Sequence, residues 1–275
     1  MNRLSGRKVH ERLRLRERRH DLERRMREKR SEDMQVIEEV FDKPTLMTVY
    51  SLMNRGYLKS IFGVAKSGKE SRIYWGKSPE GQDLAVKIYL TTSTEFRQGM
   101  QKYIEGDPRF ERISRRTRSL VYAWARKEFD NLKLAEEAGV RVPKVITVEK
   151  NVLVMEFIGM DGMSAPLLKE TPLKDPERMF QRIVEDIRKL YCRAELVHGD
   201  LSEYNIMVWE GEPVIFDLSQ AVKLDHPMAD AFLRRDISNI AGYFSRVGVN
   251  VPDLDEMYMK VVGEDAEQAE YNDPS

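Results

Sequence analysis

The chain has 275 residues, 46 Lys+Arg against 46 Asp+Glu, and a single cysteine. This length accommodates one large domain or two lobes that share a core. One cysteine cannot form an internal disulfide, and the first residues lack the apolar segment of a secretory signal. No apolar run approaches the roughly 20 residues that cross a bilayer. We therefore expect a cytoplasmic protein without a membrane span.

The zero net charge hides an uneven distribution along the chain. Residues 1–30 hold 13 Lys or Arg and 5 Asp or Glu, whereas residues 252–275 hold one Lys and eight acidic residues. We interpret residues 1–40 as a basic N-terminal extension, either an exposed charged helix or a helix that forms on binding a partner. Residues 252–275 are interpreted as an acidic tail. Overall neutrality therefore does not argue against a nucleic-acid partner.

The first half of the chain is rich in predicted strands. A helix with a glycine stop is expected from Asp42 to Leu58. Strands are expected over residues 58–65, 71–75 and 84–90, which would form an antiparallel sheet. Residues 91–118 are polar, contain Gly-Asp-Pro and lack sustained periodicity, so they predict a long flexible loop.

The second half is mainly helical. A helix at residues 119–138 and two strands near 144–148 and 152–157 precede helices at 175–194 and 229–247. The first of these last two helices places apolar residues on one face: Met179, Phe180, Ile183, Val184, Ile187, Leu190 and Tyr191. A strand-rich part followed by a helix-rich part predicts an α+β fold of two unequal lobes, which we place at residues 41–158 and 159–251.

Two motifs carry the residue types that phosphoryl transfer requires. The segment LVHGDLSEYNIMV holds Asp200 and, five residues later, Asn205, and the segment PVIFDL puts Asp217 at the end of an apolar strand. Phosphoryl transfer uses a carboxylate that accepts a hydroxyl proton, with amide and carboxylate oxygens that hold Mg²⁺. We therefore interpret Asp200 as the catalytic base, and Asn205 and Asp217 as metal ligands.

Lys87 lies in the middle of the apolar strand LAVKIYL. A buried ammonium group is costly unless it meets an anion. One interpretation is a lysine that reaches solvent from an edge strand; the other is a lysine that holds nucleotide phosphates and pairs with a helix glutamate. Glu128 is the better partner because it lies among apolar residues, whereas Glu136 and Glu137 lie close to a glycine stop.

The turn between the first two strands, AKSGKES at residues 65–71, matches neither of the standard glycine-rich phosphate motifs. It still offers a glycine, the ammonium group of Lys69 and the hydroxyls of Ser67 and Ser71. By itself the segment predicts an ordinary hairpin turn. Beside Lys87 and Asp217 it favours a phosphate-binding loop.

Five segments in this order, SGKES, AVKIY, HGDLSEYNI, IFDLSQAV and HPMADAFLRRDISNI, resemble the RIO family of atypical serine/threonine protein kinases. The last segment and the lead-in TLMTVYSLMNRG resemble the type-one branch. The resemblance covers about residues 40–250 and implies a bilobal protein-kinase-like fold without an activation segment. In keeping with this, Gly199 stands where most protein kinases carry Arg, and His226-Pro227 follows Asp217 too closely for such a segment.

The resemblance also implies ligands, partners and further site residues. It implies ATP with Mg²⁺ or Mn²⁺, Met155 at the gatekeeper position, and adenine bonded to the backbone of Glu156 and Ile158. It implies an ATPase in which Asp217 accepts phosphate, autophosphorylation in the 91–118 loop with Ser114 as candidate, and a partner in the precursor of the small ribosomal subunit, through its rRNA and proteins.

Two other functions stay open at this point. Aminoglycoside and choline kinases share an H-G-D-L-x-x-x-N loop, so a small-molecule kinase is an alternative. A non-catalytic ATP-binding scaffold is another, although Lys87, Asp200, Asn205 and Asp217 are all present. The residues predict no oligomeric state.

Overall fold

The computed structural model describes residues 41–91, 94–114 and 116–263. The predicted basic extension at residues 1–40 and the end of the predicted acidic tail lie outside the described residues. Within those ranges, no helix is both long and apolar enough to cross a membrane. The described chain forms a strand-rich N-lobe and a mainly helical C-lobe, as the sequence predicts.

The N-lobe is built on a five-stranded antiparallel sheet with the strand order β1-β2-β3-β5-β4. Its elements in chain order are α1 (Lys43–Asn54), β1 (Ser60–Ser67), β2 (Ser71–Lys77), β3 (Asp83–Tyr89), α2 (Thr94–Ile104), α3 (Thr117–Glu137), β4 (Val145–Glu149) and β5 (Val152–Glu156).

Helix α1 covers one face of this sheet. Asp42 caps the helix, since its carboxylate accepts the backbone N–H of Thr45 at 3.1 Å, and Gly56 follows the helix end with a φ of 78°. Val49 and Leu52 pack against side chains that alternate along β3 and β5. The predicted helix and its glycine stop are confirmed.

The opposite face of the sheet packs against α3. Because successive side chains of a strand point to opposite faces, Ala85, Lys87 and Tyr89 lie on this side of β3. Helix α3 meets them with buried residues that include Trp124 and Glu128. Strand β3 is therefore covered on both faces, which explains its continuous apolar run.

The prediction of a loop throughout residues 91–118 is wrong. The segment contains helix α2 and a short 3₁₀ helix, Pro108–Phe110, and α3 begins at Thr117. Met100, Tyr103 and Phe110 are buried in the main core. These few anchors are widely spaced among polar residues, so the periodicity that predicts a helix is absent from the sequence.

In the described part of the chain, the C-lobe contains three α-helices, a short 3₁₀ helix (Leu168–Glu170) and short strand pairs. Its elements are β6 (Gly159–Met160), β7 (Met163–Ser164), α4 (Pro176–Cys192), β8 (Leu196–Val197), β9 (Ile206–Trp209), β10 (Glu212–Ile215), β11 (Val222–Lys223), α5 (Ala229–Arg246) and α6 (Leu254–Val262). The β9–β10 hairpin and the β8–β11 pair frame the two chemical motifs.

Helix α6 corrects the boundary at residue 251. The sequence prediction assigned residues 252–275 to an acidic tail, yet Leu254–Val262 is a helix whose Met257 and Val261 are buried in the main core. These two residues lie one helical turn apart and pack the helix onto the C-lobe. The high acidic count of the segment concealed this apolar pair.

Met257→Ala should destabilise the fold by about 2 to 5 kcal/mol, because truncating a buried methionine removes apolar contacts and leaves a cavity. Met257 is 2% exposed, whereas Met259 on the same helix is 63% exposed. Met259→Ala is therefore the matched control and should change the free energy of unfolding by less than about 0.5 kcal/mol. Chemical denaturation of both variants measures the difference; equal effects would mean that α6 does not belong to the core.

Candidate active site

A cavity of about 250 Å³ lies between the β1–β2 turn and the end of β10. Six of the predicted site residues line it: Lys69, Ser71, Lys87, Glu128, Met155 and Asp217. Other predicted site residues, namely Ser67, Glu156, Ile158, Asp200 and Asn205, do not line it. A larger cavity of about 440 Å³ lies at the start of α4, where no predicted site residue is found.

Lys87 is the centre of the cavity's charge arrangement. Its Nζ lies 2.7 Å from Glu128 Oε1 and 2.8 Å from Asp217 Oδ1. Lys87 and Glu128 are buried, whereas the side chain of Asp217 is 41% exposed. The Tyr89 hydroxyl donates to the second oxygen of Glu128. The predicted pairing of Lys87 with a helix glutamate is therefore present, and the edge-strand alternative does not apply.

The neighbouring charges in this group shift the pKa values of Lys87 and Asp217. Burial alone would lower the pKa of Lys87, but the carboxylates of Asp217 and Glu128 outweigh burial and raise it. Burial alone would also raise the pKa of Asp217, yet the Lys87 ammonium and the Ser219 hydroxyl bring it to about 2. Asp217 is thus ionised at neutral pH. It also adopts a left-handed backbone with a φ of 64°, a strained conformation typical of functional sites.

Residues 198–205, the segment that the sequence predicts to carry the catalytic base and that we call the catalytic loop, lie beside this group. Asp200 is exposed, and Asn205 donates from Nδ2 to the Asp200 carbonyl at 2.7 Å, which leaves its amide oxygen available as an acceptor. The N–H of Phe216 donates to the Asn205 carbonyl at 3.1 Å, and its carbonyl contacts the His198 ring at 3.2 Å. The residue before Asp217 is therefore bonded to both ends of the catalytic loop.

Gly199 is required by the shape of this loop. It has a φ of 78°, and a Cβ there would lie 3.2 Å from the Gln220 carbonyl. Arg235 on α5 donates to its carbonyl, and the Tyr103 hydroxyl of α2 donates to the same oxygen at 3.4 Å. An arginine at this position, which most protein kinases have, would be strained by the left-handed backbone and the close Gln220 carbonyl, and helix α2 contacts the loop at this point.

Asp236 is a site residue that the sequence reasoning missed. It is 1% exposed on α5, and its two oxygens accept the N–H groups of Gly199 at 2.7 Å and Leu201 at 2.9 Å. Burial raises its pKa to about 6, although His198 and the two amides oppose this. The available signal was a lone acid on the apolar face of α5, between Leu233 and Ile240.

The β1–β2 turn is tight. The N–H of Gly68 donates to the Ser71 carbonyl at 2.9 Å, and Lys69 and Ser71 face the cavity. Glu70, which the sequence reasoning did not single out, also lines the cavity, and burial together with Asp217 raises its pKa. The turn thus presents both signs of charge to the cavity.

Glu156, the last residue of β5, and Ile158 are the two residues predicted to bond adenine through their backbone groups. The Glu156 side chain points to Arg141, with which it forms a bidentate pair at 2.8 and 2.6 Å, and its N–H donates to the Lys144 carbonyl. The carbonyl of Ile158 accepts the N–H of Ala165 at 2.9 Å. Among the backbone bonds of the described residues, none uses the N–H of Ile158.

Asp236→Asn should change how stability depends on pH. The pKa of Asp236 is about 6 in the folded chain against an ordinary 3.8, so ionising this carboxyl opposes folding. The stability that its raised pKa contributes is fully present below pH 3.8 and is lost as the pH rises through 6. Relative to the Asn variant, the native chain should lose up to about 3 kcal/mol across that window.

Denaturation at several pH values measures this difference. Asp230 lies on the same helix and its side chain is 61% exposed, so Asp230→Asn is the control and should lack the effect. A difference between native chain and Asp236→Asn that does not vary with pH would contradict the raised pKa.

Comparison with known proteins gives relatives along most of the chain. A model of the RIO domain matches residues 72–257. RIO-type serine/threonine-protein kinase Rio1 of Haloferax volcanii is 43% identical over 246 residues, covering 90% of this chain and 84% of the relative. Rio1 of Methanocaldococcus jannaschii is 45% identical over 226 residues, covering 81% and 77%. The human serine/threonine-protein kinase RIO1 is 36% identical over 230 residues, but only 40% of its length is covered.

Solved structures share the fold. The Rio2 kinase of Chaetomium thermophilum matches with a TM-score of 0.60 and 24% identity over 79% of this chain and 67% of that protein. Its ADP/Mg²⁺-phosphoaspartate complex matches with a TM-score of 0.58, again at 24% identity, over 79% and 66%. With the RIO-domain match and the Rio1 relatives, the chain belongs to the RIO family of atypical serine/threonine protein kinases, in its type-one branch.

Proposed function

We propose that this kinase transfers the γ-phosphate of ATP in the presence of Mg²⁺, both to serine hydroxyls and, through Asp217, to water. The observation that supports this most is the placement of Lys87 between Glu128 and Asp217 in one cavity, next to the Asp200–Asn205 loop. Phosphoryl transfer uses a cationic group that binds phosphates, two oxygen ligands for a metal and an exposed carboxylate that can accept a proton.

The residues present fit a magnesium ion. Asn205 keeps its amide oxygen available because its nitrogen is bonded to Asp200, and Asp217 is ionised and partly exposed. In the described ranges, no group of three or more His, Cys, Asp or Glu could hold a metal by itself. This suits Mg²⁺, which typically takes one or two protein carboxylates plus substrate phosphates. When bound, the ion would neutralise charge on those phosphates.

The remaining predicted contacts are assigned to ATP. Lys87, Lys69 and Ser71 face the cavity and would contact phosphates, while Met155 would lie beside the adenine. The Ile158 N–H, which has no backbone acceptor among the described residues, would bond the base. Ser67 ends β1 outside the cavity lining and would act only through the shape of the turn.

In transfer to serine, Asp200 accepts the hydroxyl proton as the serine oxygen bonds to the γ-phosphorus. The bond from that phosphorus to the bridging oxygen breaks, and ADP leaves. Asp200 is exposed and the catalytic loop is fixed by Asp236, so a substrate hydroxyl can reach a carboxylate of defined position.

In hydrolysis, Asp217 is the nucleophile. Its Oδ1 accepts bonds from Lys87 and from the Ser219 hydroxyl at 2.9 Å, which leaves Oδ2 to attack the γ-phosphorus. ADP leaves, and water, which gives a proton to Asp200, then cleaves the acyl phosphate to release phosphate and restore the carboxylate. The related Chaetomium structure is described as a phosphoaspartate complex.

The partner we propose is the precursor of the small ribosomal subunit. Support comes from the basic composition of residues 1–30 and from Arg112 and Arg116, which are exposed in the described chain. Phosphate backbones bind such side chains with a strong dependence on salt. Ser114, the candidate autophosphorylation site, is exposed between these two arginines.

Asp200→Ala should retain ATP affinity and lose turnover by about 100-fold or more, because proton transfer alone contributes this much. Incubation of the native chain with labelled ATP and Mg²⁺, followed by peptide mapping, should place phosphate on Asp217 and on Ser114. Glu210→Gln, on the exposed β9–β10 turn, is the control and should behave as the native protein. Turnover retained by Asp200→Ala would refute the assignment of Asp200 as the catalytic base. Phosphate found only on residues other than Asp217 and Ser114 would exclude both proposed acceptors.

Deletion of residues 1–30 should weaken binding to ribosomal RNA at low salt and reduce the salt dependence of binding, because 13 cationic residues are removed. Binding titrations at several salt concentrations measure both. The ATPase rate of the deleted chain controls for folding. Unchanged RNA affinity would remove the basic extension from the proposal.

A further inference from the structure

Two buried polar residues of α3 take no part in the function proposed above. Lys127 and Asn131 lie one helical turn apart and are 1% and 0% exposed. Both side chains reach across to the C-lobe segment at residues 218–221, which directly follows Asp217.

Lys127 contacts the group that orients Asp217. Its Nζ donates to the Ser219 carbonyl at 3.2 Å, and the hydroxyl of the same Ser219 donates to Asp217 Oδ1 at 2.9 Å. Fixing the backbone of Ser219 therefore fixes the donor that holds one oxygen of Asp217 and leaves the other free.

Asn131 secures the same segment at two more points. Its Nδ2 donates to the carbonyls of Leu218 at 2.9 Å and Ala221 at 3.0 Å. Its Oδ1 accepts from Arg109 at 2.7 Å, and Arg109 is itself paired with Asp107. The side-chain orientation of Asn131 is thus set by Arg109, in the segment that precedes α3.

Burial of the Lys127 ammonium group costs folding free energy, so stability alone does not explain this residue. Its nearest carboxylate, Asp107, is 4.0 Å away and already paired with Arg109, so the ammonium rests mainly on the Trp124 ring at 4.4 Å. Burial and Arg109 lower its pKa to about 7. Apolar residues of similar volume commonly stabilise such positions as well or better. A cost of this kind points to a positional role.

We propose that Lys127 and Asn131 are positioning residues which hold the segment at 218–221 and thereby orient the Asp217 carboxylate toward the γ-phosphate. The inference rests on the proposed role of Asp217. Helix α3 then serves the site twice, through the Glu128 ion pair with Lys87 and through these two contacts with the segment after Asp217.

The test compares Lys127→Met, Asn131→Leu and the double variant in the full chain. Lys127→Met should lower kcat by roughly tenfold or more, since small misplacements of reacting groups cost this much. ATP affinity should change by less than about twofold and thermal stability should hold or rise, because a buried ammonium is removed. The double variant should lose less than the product of the two single effects, because both residues hold one segment.

Lys133→Met is the matched control, since Lys133 lies on the same helix with a side chain that is 60% exposed. Native kcat in Lys127→Met, or a loss of kcat that is fully matched by losses of ATP affinity and stability, would overturn the inference. Asp200→Ala separates the two proposals: retained turnover in that variant defeats the proposed function, whereas lost turnover there with native turnover in Lys127→Met defeats only the positioning role.

Discussion

A buried ammonium group between two carboxylates organises this molecule. Lys87 comes from the sheet, Glu128 from the helix packed on it, and Asp217 from the C-lobe. The two buried members of this group would each be unstable alone, since a buried lysine needs an anion and Glu128, whose side chain is 1% exposed, needs a cation. The N-lobe and the C-lobe therefore meet at the ion pairs of Lys87 with Glu128 and Asp217, and the cavity lies at this point.

The surrounding structure gives up stability to keep this geometry. Asp217 occupies a left-handed backbone, Asp236 remains buried with its pKa raised to about 6, and Lys127 is enclosed with little compensation. Each of these features costs stability by itself; Asp236 holds the catalytic loop, and Lys127 holds the segment after Asp217. All three lie in, or are bonded to, the two segments that carry Asp200 and Asp217, and such a concentration of costly features is typical of functional sites.

Local chemistry made the central site predictable. Lys87 lies in an apolar strand and therefore needs an acidic partner, and Glu128 is the acidic residue with apolar neighbours. The spacing of Asp200, Asn205 and Asp217 fits what phosphoryl transfer requires. The contacts of Lys127 and Asn131 were not predictable, because they depend on how α3 docks on the C-lobe. The sequence shows that both residues are polar, but only the structure shows that they lie on the buried face of α3.

The errors of prediction share a physical cause. Helix α2 and helix α6 are held by a few buried residues, among them Tyr103 and Met257, within segments of otherwise polar or acidic composition. Tertiary packing stabilises such helices, and local periodicity contributes little. Residues 91–118 therefore looked like a loop, although Tyr103 in this segment donates to the Gly199 carbonyl of the catalytic loop.

A double-mutant cycle on Lys87→Met and Glu128→Gln, read as the rate of ATP turnover, tests the central claim most directly. If the two side chains act as one unit, each single variant lowers turnover strongly and the double variant is little worse than either. Losses that multiply in the double variant would show that Lys87 and Glu128 contribute independently, and would contradict the account.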